Sequence, residues 1–126
     1  MKKCFNPEKA PQAIGPYSIS NIYNNMIFVS GQLPINSETG ELIIGDVKKA
    51  TEQILLNAKY ILEEAGSSLE NVLKTTVFLK DMNNFADMNE VYAKFFDKNP
   101  PARSAFQVVK LPKDVDVEIE FIAYIN

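Results

Sequence analysis

The spacing of apolar residues along this 126-residue chain predicts two amphipathic helices. Asp46 is a typical N-cap and Gly66 a typical C-terminal stop, and the residues between them keep the i, i+3, i+4 spacing of one helical face. These apolar positions predict a helix over residues 46–65: Val47, Ala50, Ile54, Ala58, Ile61, Leu62 and Ala65. Residues 81–84 cap a second helix, which residues 99–101 end with two prolines. Its predicted buried side consists of Phe85, Met88, Tyr92 and Phe95.

Continuous or alternating apolar runs predict strands around these helices. The predicted strands cover residues 18–22, 26–30, 42–44, a part of 69–80, 103–109 and 115–125, after an extended or turning segment over residues 1–17. Within residues 69–80, alternation places Leu73, Thr75, Val77 and Leu79 on one face. The order β-β-β-α-β-α-β-β has two helices, enough to cover one face of a sheet. It therefore favours a single two-layer α+β domain over residues 1–126.

The last predicted strand has two different faces. One face is uniformly apolar and suits packing against the helices: Val115, Val117, Ile119, Phe121, Ala123 and Ile125. The other face is polar at one end and apolar at the other: Asp116, Glu118, Glu120, Ile122 and Tyr124. A partly apolar open face often marks a surface that another subunit covers, so we expect a homo-oligomer.

Composition narrows the chemistry. The chain has no histidine and a single cysteine, Cys4, which excludes a Ser-His-Asp triad, a His-ligated metal site and an internal disulfide. A net charge of −3 and a pI of about 5.0 disfavour nonspecific nucleic-acid binding. No apolar run reaches the length of a membrane helix and no secretory signal is evident, so we expect a cytoplasmic protein.

The most informative residue is Arg103, which lies among small and apolar residues. Burying part of a guanidinium is costly unless an anion or several acceptors meet it. Glu118 and Glu120 follow fifteen and seventeen residues later on a predicted strand. These residues form either a structural ion pair or part of a pocket for a small carboxylate. A hairpin around Pro112 would bring Arg103 opposite about residue 121, a few residues from Glu118.

Several segments resemble the RidA (YjgF) family of reactive-intermediate deaminases, over nearly the whole chain. The most specific are residues 101–104 (Pro-Ala-Arg-Ser) and residues 118–120 (Glu-Ile-Glu). Residues 14–17 (Ile-Gly-Pro-Tyr), 30–32 (Ser-Gly-Gln) and 89–92 (Asn-Glu-Val-Tyr) add to the match. The chain departs from several members at Ala105, where those members carry a cysteine, so a thiol cannot take part in this site.

The resemblance implies a chorismate-mutase-like fold and a homotrimer with a barrel-like core and active sites between subunits. It also implies hydrolysis of 2-imino acids such as 2-iminobutanoate and 2-iminopropanoate to 2-keto acids and ammonia, without a metal or an organic cofactor. Two alternatives stay open: a non-enzymatic binder or sensor of 2-keto acids, and, more weakly, an RNA-directed translation inhibitor or endoribonuclease.

The resemblance also suggests a role for each candidate residue. Arg103 would grip the substrate carboxylate with its planar fork. Glu118 would orient or deprotonate the attacking water, and Tyr17 would present its hydroxyl to the substrate or that water. Ser30, Gly31 and Asn89 are predicted to bind substrate. Glu120 shares the face of Glu118 and is predicted to be structural.

Overall fold

Two helices cover one face of a six-stranded sheet in a computed structural model that describes all of residues 1–126. The elements are β1 (Lys3–Phe5), β2 (Ser20–Tyr23), β3 (Met26–Gln32), α1 (Val47–Glu64), β4 (Val72–Leu79), α2 (Phe85–Phe95), β5 (Ala102–Gln107) and β6 (Val117–Tyr124). The strand order in the sheet is β1-β2-β3-β6-β4-β5. Every pair is antiparallel except β4 with β5, which is parallel. The predicted two-layer α+β class is confirmed.

The long helix α1 forms where its apolar spacing predicts. The carboxylate of Asp46 accepts a hydrogen bond from the backbone N–H of Lys49 at 3.0 Å, which satisfies one free donor of the first turn. At the other end the chain leaves the helix through Gly66, whose φ of +84° strains any residue with a Cβ. Between these caps, Ala50, Ile54 and Ile61 are fully buried against the sheet.

Strand β6 lies in the middle of the sheet and carries the predicted division of faces. Val117, Ile119 and Phe121 are almost fully buried beneath the helices, as expected. The opposite face, which we call the open face, has no helix over it and includes Glu118 on β6. Glu118 pairs with Phe78 of β4, and its neighbour Ile119 pairs with Gln32 of β3, so strands on both sides hold this part of β6.

The predicted strand over residues 42–44 is wrong. Only Leu42 makes an isolated bridge, to Ile35, while residues 36–40 turn tightly through backbone bonds such as Gly40 N–H to the Asn36 carbonyl at 2.7 Å. The third strand before α1 is instead β1, which pairs with β2. It lies in the segment over residues 1–17 that was predicted to be extended or turning. The order of elements is therefore as predicted, but one strand is a different segment.

The predicted alternation in β4 fails at its first residue. The register shifts between Val72 and Lys74, so Val72 faces the core and Leu73 is 47% exposed. A bulge of this kind inserts one residue and moves the following side chains to the opposite face. Thr75, Val77 and Leu79 are fully buried, as predicted.

The hairpin that was considered between the last two strands does not form. Strand β5 pairs with β4 alone, so β4 lies between β5 and β6. Helix α2 connects β4 to β5 and supplies the crossover that a parallel pair requires. Arg103 therefore stands next to Thr75, on the edge strand of the sheet, and not next to β6.

Neither helix combines the length and apolar character required to cross a membrane.

Candidate active site

A cleft of about 430 Å³ opens on the open face beside the bulge in β3. It brings together four of the predicted site residues: Tyr17, Ser30, Gly31 and Glu118. The remaining lining residues are Ile14, Leu33, Pro112 and Glu120. The cleft therefore combines two carboxylates and a phenol with apolar walls. Arg103 and Asn89 do not line it.

The bulge in β3 shapes the floor of this cleft. Val29 pairs with Phe121 and Gln32 with Ile119, so Ser30 and Gly31 together oppose the single residue Glu120. Bulges bend a strand and redirect its side chains, and they are common beside active sites. Here the bulge places two small residues, Ser30 and Gly31, where a regular strand would place one residue.

Ser30 links this bulge to the segment that carries Tyr17. Its hydroxyl donates to the carbonyl of Ser18 at 2.7 Å, and its backbone N–H donates to the carbonyl of Ile19 at 2.9 Å. The hydroxyl proton of Ser30 is therefore engaged within the protein. Tyr17 lies two residues after Gly15, and about half of its surface is exposed at the mouth of the cleft.

Gly31 permits the close approach of Glu118. A Cβ at residue 31 would overlap a carboxylate oxygen of Glu118 and lie 2.8 Å from its Cδ. The Glu118 side chain therefore packs directly on the Gly31 backbone, and any larger residue would displace the carboxylate.

The carboxylate of Glu118 is partly buried and lines the cleft together with Glu120. Burial raises the pKa of Glu118 above its ordinary value, and the negative charge of Glu120 raises that pKa further. None of the three ion pairs of the chain includes Glu118; they join Lys48 with Glu90, Lys59 with Glu63, and Lys80 with Asp114. Perturbation by burial in a cleft is typical of catalytic carboxylates.

Arg103 has no carboxylate partner, so the internal Arg–Glu bridge that the sequence left open does not form. Its Nη1 donates to Oδ1 of Asn89 at 2.6 Å. The guanidinium carbon lies 4.8 Å from the ring centroid of Tyr92 and 5.4 Å from that of Phe85. The half-buried positive charge is thus supported by one neutral acceptor and two aromatic rings, and it remains uncompensated.

The apolar pattern predicted Phe85 and Tyr92 only as core, whereas both rings contact the guanidinium of Arg103. Together with Asn89 they are spaced i, i+4, i+7 on α2, and this spacing puts all three on one side of the helix. An asparagine between two aromatic residues at that spacing was the available signal.

Arg103 and Glu118 lie on opposite faces of the sheet. Residues that pair across strands share a face, and Arg103 pairs with Thr75, which pairs with the buried Phe121. Glu118 pairs with Phe78, three residues further along β4 and therefore on the open face. Ala105 follows Arg103 on the helix side, packed against the core, so it does not face the cleft.

The site residues offer anion binding and proton transfer. Arg103 supplies the charge for an anion, and Glu118 supplies a carboxylate with a raised pKa. No group of three or more His, Cys, Asp or Glu side chains comes together to hold a metal ion.

Comparison with known protein families identifies the family to which this chain belongs. The sequence profile of the Endoribonuclease L-PSP family matches residues 7–125, and the chain belongs to this family, which is the YjgF/RidA family that its motifs resemble. A RutC family protein of Pyrococcus abyssi is 54% identical over 123 residues, 98% of this chain and 97% of that protein. The 2-iminobutanoate/2-iminopropanoate deaminase of Escherichia coli K12 is 48% identical over 126 residues, 98% of each chain.

The fold is shared with solved structures. The crystal structure of E. coli TdcF with bound serine has a TM-score of 0.93 and 44% sequence identity to this chain, covering 98% of this chain and 99% of that one.

Proposed function

We propose that this protein hydrolyses reactive 2-imino acids, such as 2-iminobutanoate and 2-iminopropanoate, to 2-keto acids and ammonia. The observation that carries the proposal is the uncompensated guanidinium of Arg103. A half-buried positive charge without an internal counter-ion favours a small anionic ligand. The name of the E. coli relative and the serine bound to TdcF, which also has a carboxylate beside a nitrogen-bearing carbon, support this choice.

A complete site requires two copies of the chain. The sheet lies between Arg103 and Glu118 within one copy, so the edge of one subunit has to meet the open face of another. That face is rich in exposed aromatic surface, since Phe28 is 45% and Phe106 44% exposed. Large apolar patches of this kind favour a protein partner. An edge-to-face contact is heterologous and forms a closed ring when the rotation between copies closes, as in the homotrimer that the family resemblance implies.

Substrate binding in this proposal begins with the carboxylate. The guanidinium fork of Arg103 holds both carboxylate oxygens, which fixes the adjacent C=N carbon beside the Glu118 of the neighbouring copy. The walls formed by Ile14, Leu33 and Pro112 suit a short aliphatic side chain. Tyr17 offers its hydroxyl at the mouth of the cleft.

Glu118 then moves the protons. It takes a proton from water as the water oxygen bonds to the carbon of the protonated imine, and the π electrons of C=N move to nitrogen. Glu118 returns that proton to the nitrogen of the adduct. The C–N bond breaks, ammonia leaves, and the hydroxyl proton passes to Glu118 as the keto group forms. Glu118 then releases this proton to ammonia or water, which restores the carboxylate. A carboxylate with a raised pKa suits both directions of transfer.

The test follows freshly generated 2-iminobutanoate, with the wild-type protein and the Arg103→Ala variant compared at equal concentration. We expect the wild type to accelerate the loss of the imine and Arg103→Ala to lose the acceleration while keeping its circular dichroism spectrum. Full activity in Arg103→Ala would refute the assignment. Calorimetric binding of 2-ketobutyrate without acceleration would favour a non-enzymatic binder instead. RNA cleavage that Arg103→Ala loses would favour the endoribonuclease function in the family description.

A further inference from the structure

One side of α2 is built around the guanidinium of Arg103. Phe85, Asn89 and Tyr92 occupy three successive turns of the helix, and each contacts the guanidinium. The two rings lie within the distance at which a cation is attracted to an aromatic face. We call Phe85 and Tyr92 the aromatic cradle.

The ring of Tyr92 is itself held in place from below. Its hydroxyl shares a hydrogen bond of 2.7 Å with Oγ1 of Thr75, and both residues are buried. Thr75 is the β4 residue that pairs with Arg103, so the strand that positions the arginine backbone also anchors the ring that contacts its side chain. The ring packs further against Phe96, at 4.7 Å between centroids. The packing against Phe96 does not depend on the hydroxyl, so we expect the ring to stay beside the guanidinium even without the bond to Thr75.

We propose that the aromatic cradle consists of positioning residues that orient Arg103 for carboxylate binding while leaving its charge unneutralised. An internal carboxylate would also hold the guanidinium, but it would compete with the ligand for the same N–H groups. Aromatic faces attract the cation through their quadrupole and take up none of its hydrogen-bond donors. Asn89 accepts one N–H, and the rest of the fork stays available. This inference rests on the proposed role of Arg103.

A purely packing role makes a different prediction. If the rings only fill space, replacing either ring with leucine would lower the stability of the protein without changing its affinity for a carboxylate. If the rings orient the cation, leucine would weaken binding, whereas phenylalanine in place of Tyr92 would preserve it. Phe85 is only partly buried, so Phe85→Leu is the milder of the two leucine variants for folding.

The experiment measures calorimetric affinity for 2-ketobutyrate, and KM and kcat for 2-iminobutanoate, in Tyr92→Leu, Phe85→Leu and Tyr92→Phe. Each leucine variant should weaken binding and raise KM about five- to tenfold, with kcat changed less than about twofold. Tyr92→Phe should stay within about twofold of wild type, since it keeps the ring. A second readout is the NMR signal of the Arg103 Nε–H, which should carry a ring-current shift that decreases in each leucine variant.

The outcomes separate the two claims. If both folded leucine variants kept the wild-type affinity and the wild-type Arg103 Nε–H signal, the cradle would be overturned and the deaminase proposal would remain intact. An equal loss in Tyr92→Phe and Tyr92→Leu would also overturn it, because the hydroxyl and not the ring would then matter. Failure of the wild type to consume the imine would overturn the proposed function, whereas failure of the wild type to bind 2-ketobutyrate would overturn the cradle's purpose as well.

Discussion

The substitution Asn89→Asp tests the idea that the positive charge of Arg103 is kept free. Asparagine and aspartate have nearly the same shape, so the variant places a carboxylate oxygen where Oδ1 of Asn89 now lies, 2.6 Å from Nη1 of Arg103. The guanidinium would then have an internal counter-ion. We expect the variant to fold normally, because a partly exposed ion pair changes stability by only about 0–1 kcal/mol.

The effect on binding is expected to be much larger than the effect on stability. Two unit charges about 4 Å apart attract by about 1 kcal/mol in water and about 4 kcal/mol near a protein surface. Arg103 is half-buried and water still screens part of its charge, so we use an attraction between these two values. The substrate carboxylate would have to share the guanidinium with the carboxylate that Asn89→Asp introduces, which corresponds to a loss of affinity of roughly 10- to 100-fold.

The assay is calorimetric titration with 2-ketobutyrate, together with KM for 2-iminobutanoate. The matched control is Asn24→Asp, which adds the same charge in the exposed turn before β3, at the end of that strand opposite to the cleft residues Ser30 and Gly31. We expect the control to bind like the wild type. Unchanged affinity in Asn89→Asp would show that the ligand carboxylate is held elsewhere, and the role given to Arg103 would have to be abandoned.

Three further predictions concern the cleft. Glu118→Gln should lower kcat about 10²- to 10⁴-fold, as expected for loss of a general base. Glu118→Gln should also remove a pH dependence of stability. Because the pKa of Glu118 is raised in the folded state, wild-type stability should fall as pH rises above the ordinary carboxyl pKa. Urea unfolding measured across pH would detect this fall and its absence in Glu118→Gln. Glu120→Gln should lower the pKa of Glu118 and move the acid limb of kcat/KM to lower pH; a shift to higher pH would contradict the assigned cause. Gly31→Ala should cost at least about tenfold in kcat/KM because its methyl group displaces Glu118, and unaltered kinetics would show that the carboxylate tolerates the displacement.

Long, periodic elements could be predicted from the sequence because their pattern is local. Helix α1 was expected over residues 46–65 and runs Val47–Glu64, since both its caps and its apolar face are contained in one segment. The alternation in β6 likewise assigned Glu118 to the face away from the helices. These elements need no knowledge of their partners.

Features that depend on pairing could not be predicted in this way. The three-residue β1 has too little pattern of its own and exists through its pairing with β2. The bulge that turns Leu73 outward depends on the register between β4 and β6. The parallel pairing of β5 with β4 placed Arg103 on the helix side, whereas a hairpin of the last two strands would have brought it towards Glu118.

The same limit applies to the site. Arg103, Glu118, Tyr17, Ser30 and Gly31 were named from motifs, and the structure divides them between an edge and a cleft on opposite faces. The aromatic neighbours of Arg103 were interpreted as core because apolar periodicity reports burial and not what a ring contacts.

The most direct test of the two-copy site is to mix Arg103→Ala subunits with Glu118→Gln subunits by joint refolding. Each variant alone lacks every complete site. In random mixed rings, about a quarter of the contacts pair an intact Arg103 with an intact Glu118 from the neighbouring copy. Native mass spectrometry of tagged subunits confirms the mixing, and a mixture of Arg103→Ala with the double variant is the control. We predict recovery of about a quarter of wild-type imine hydrolysis in the first mixture and none in the control. No recovery in verified mixed rings would contradict a site shared between two copies of the chain.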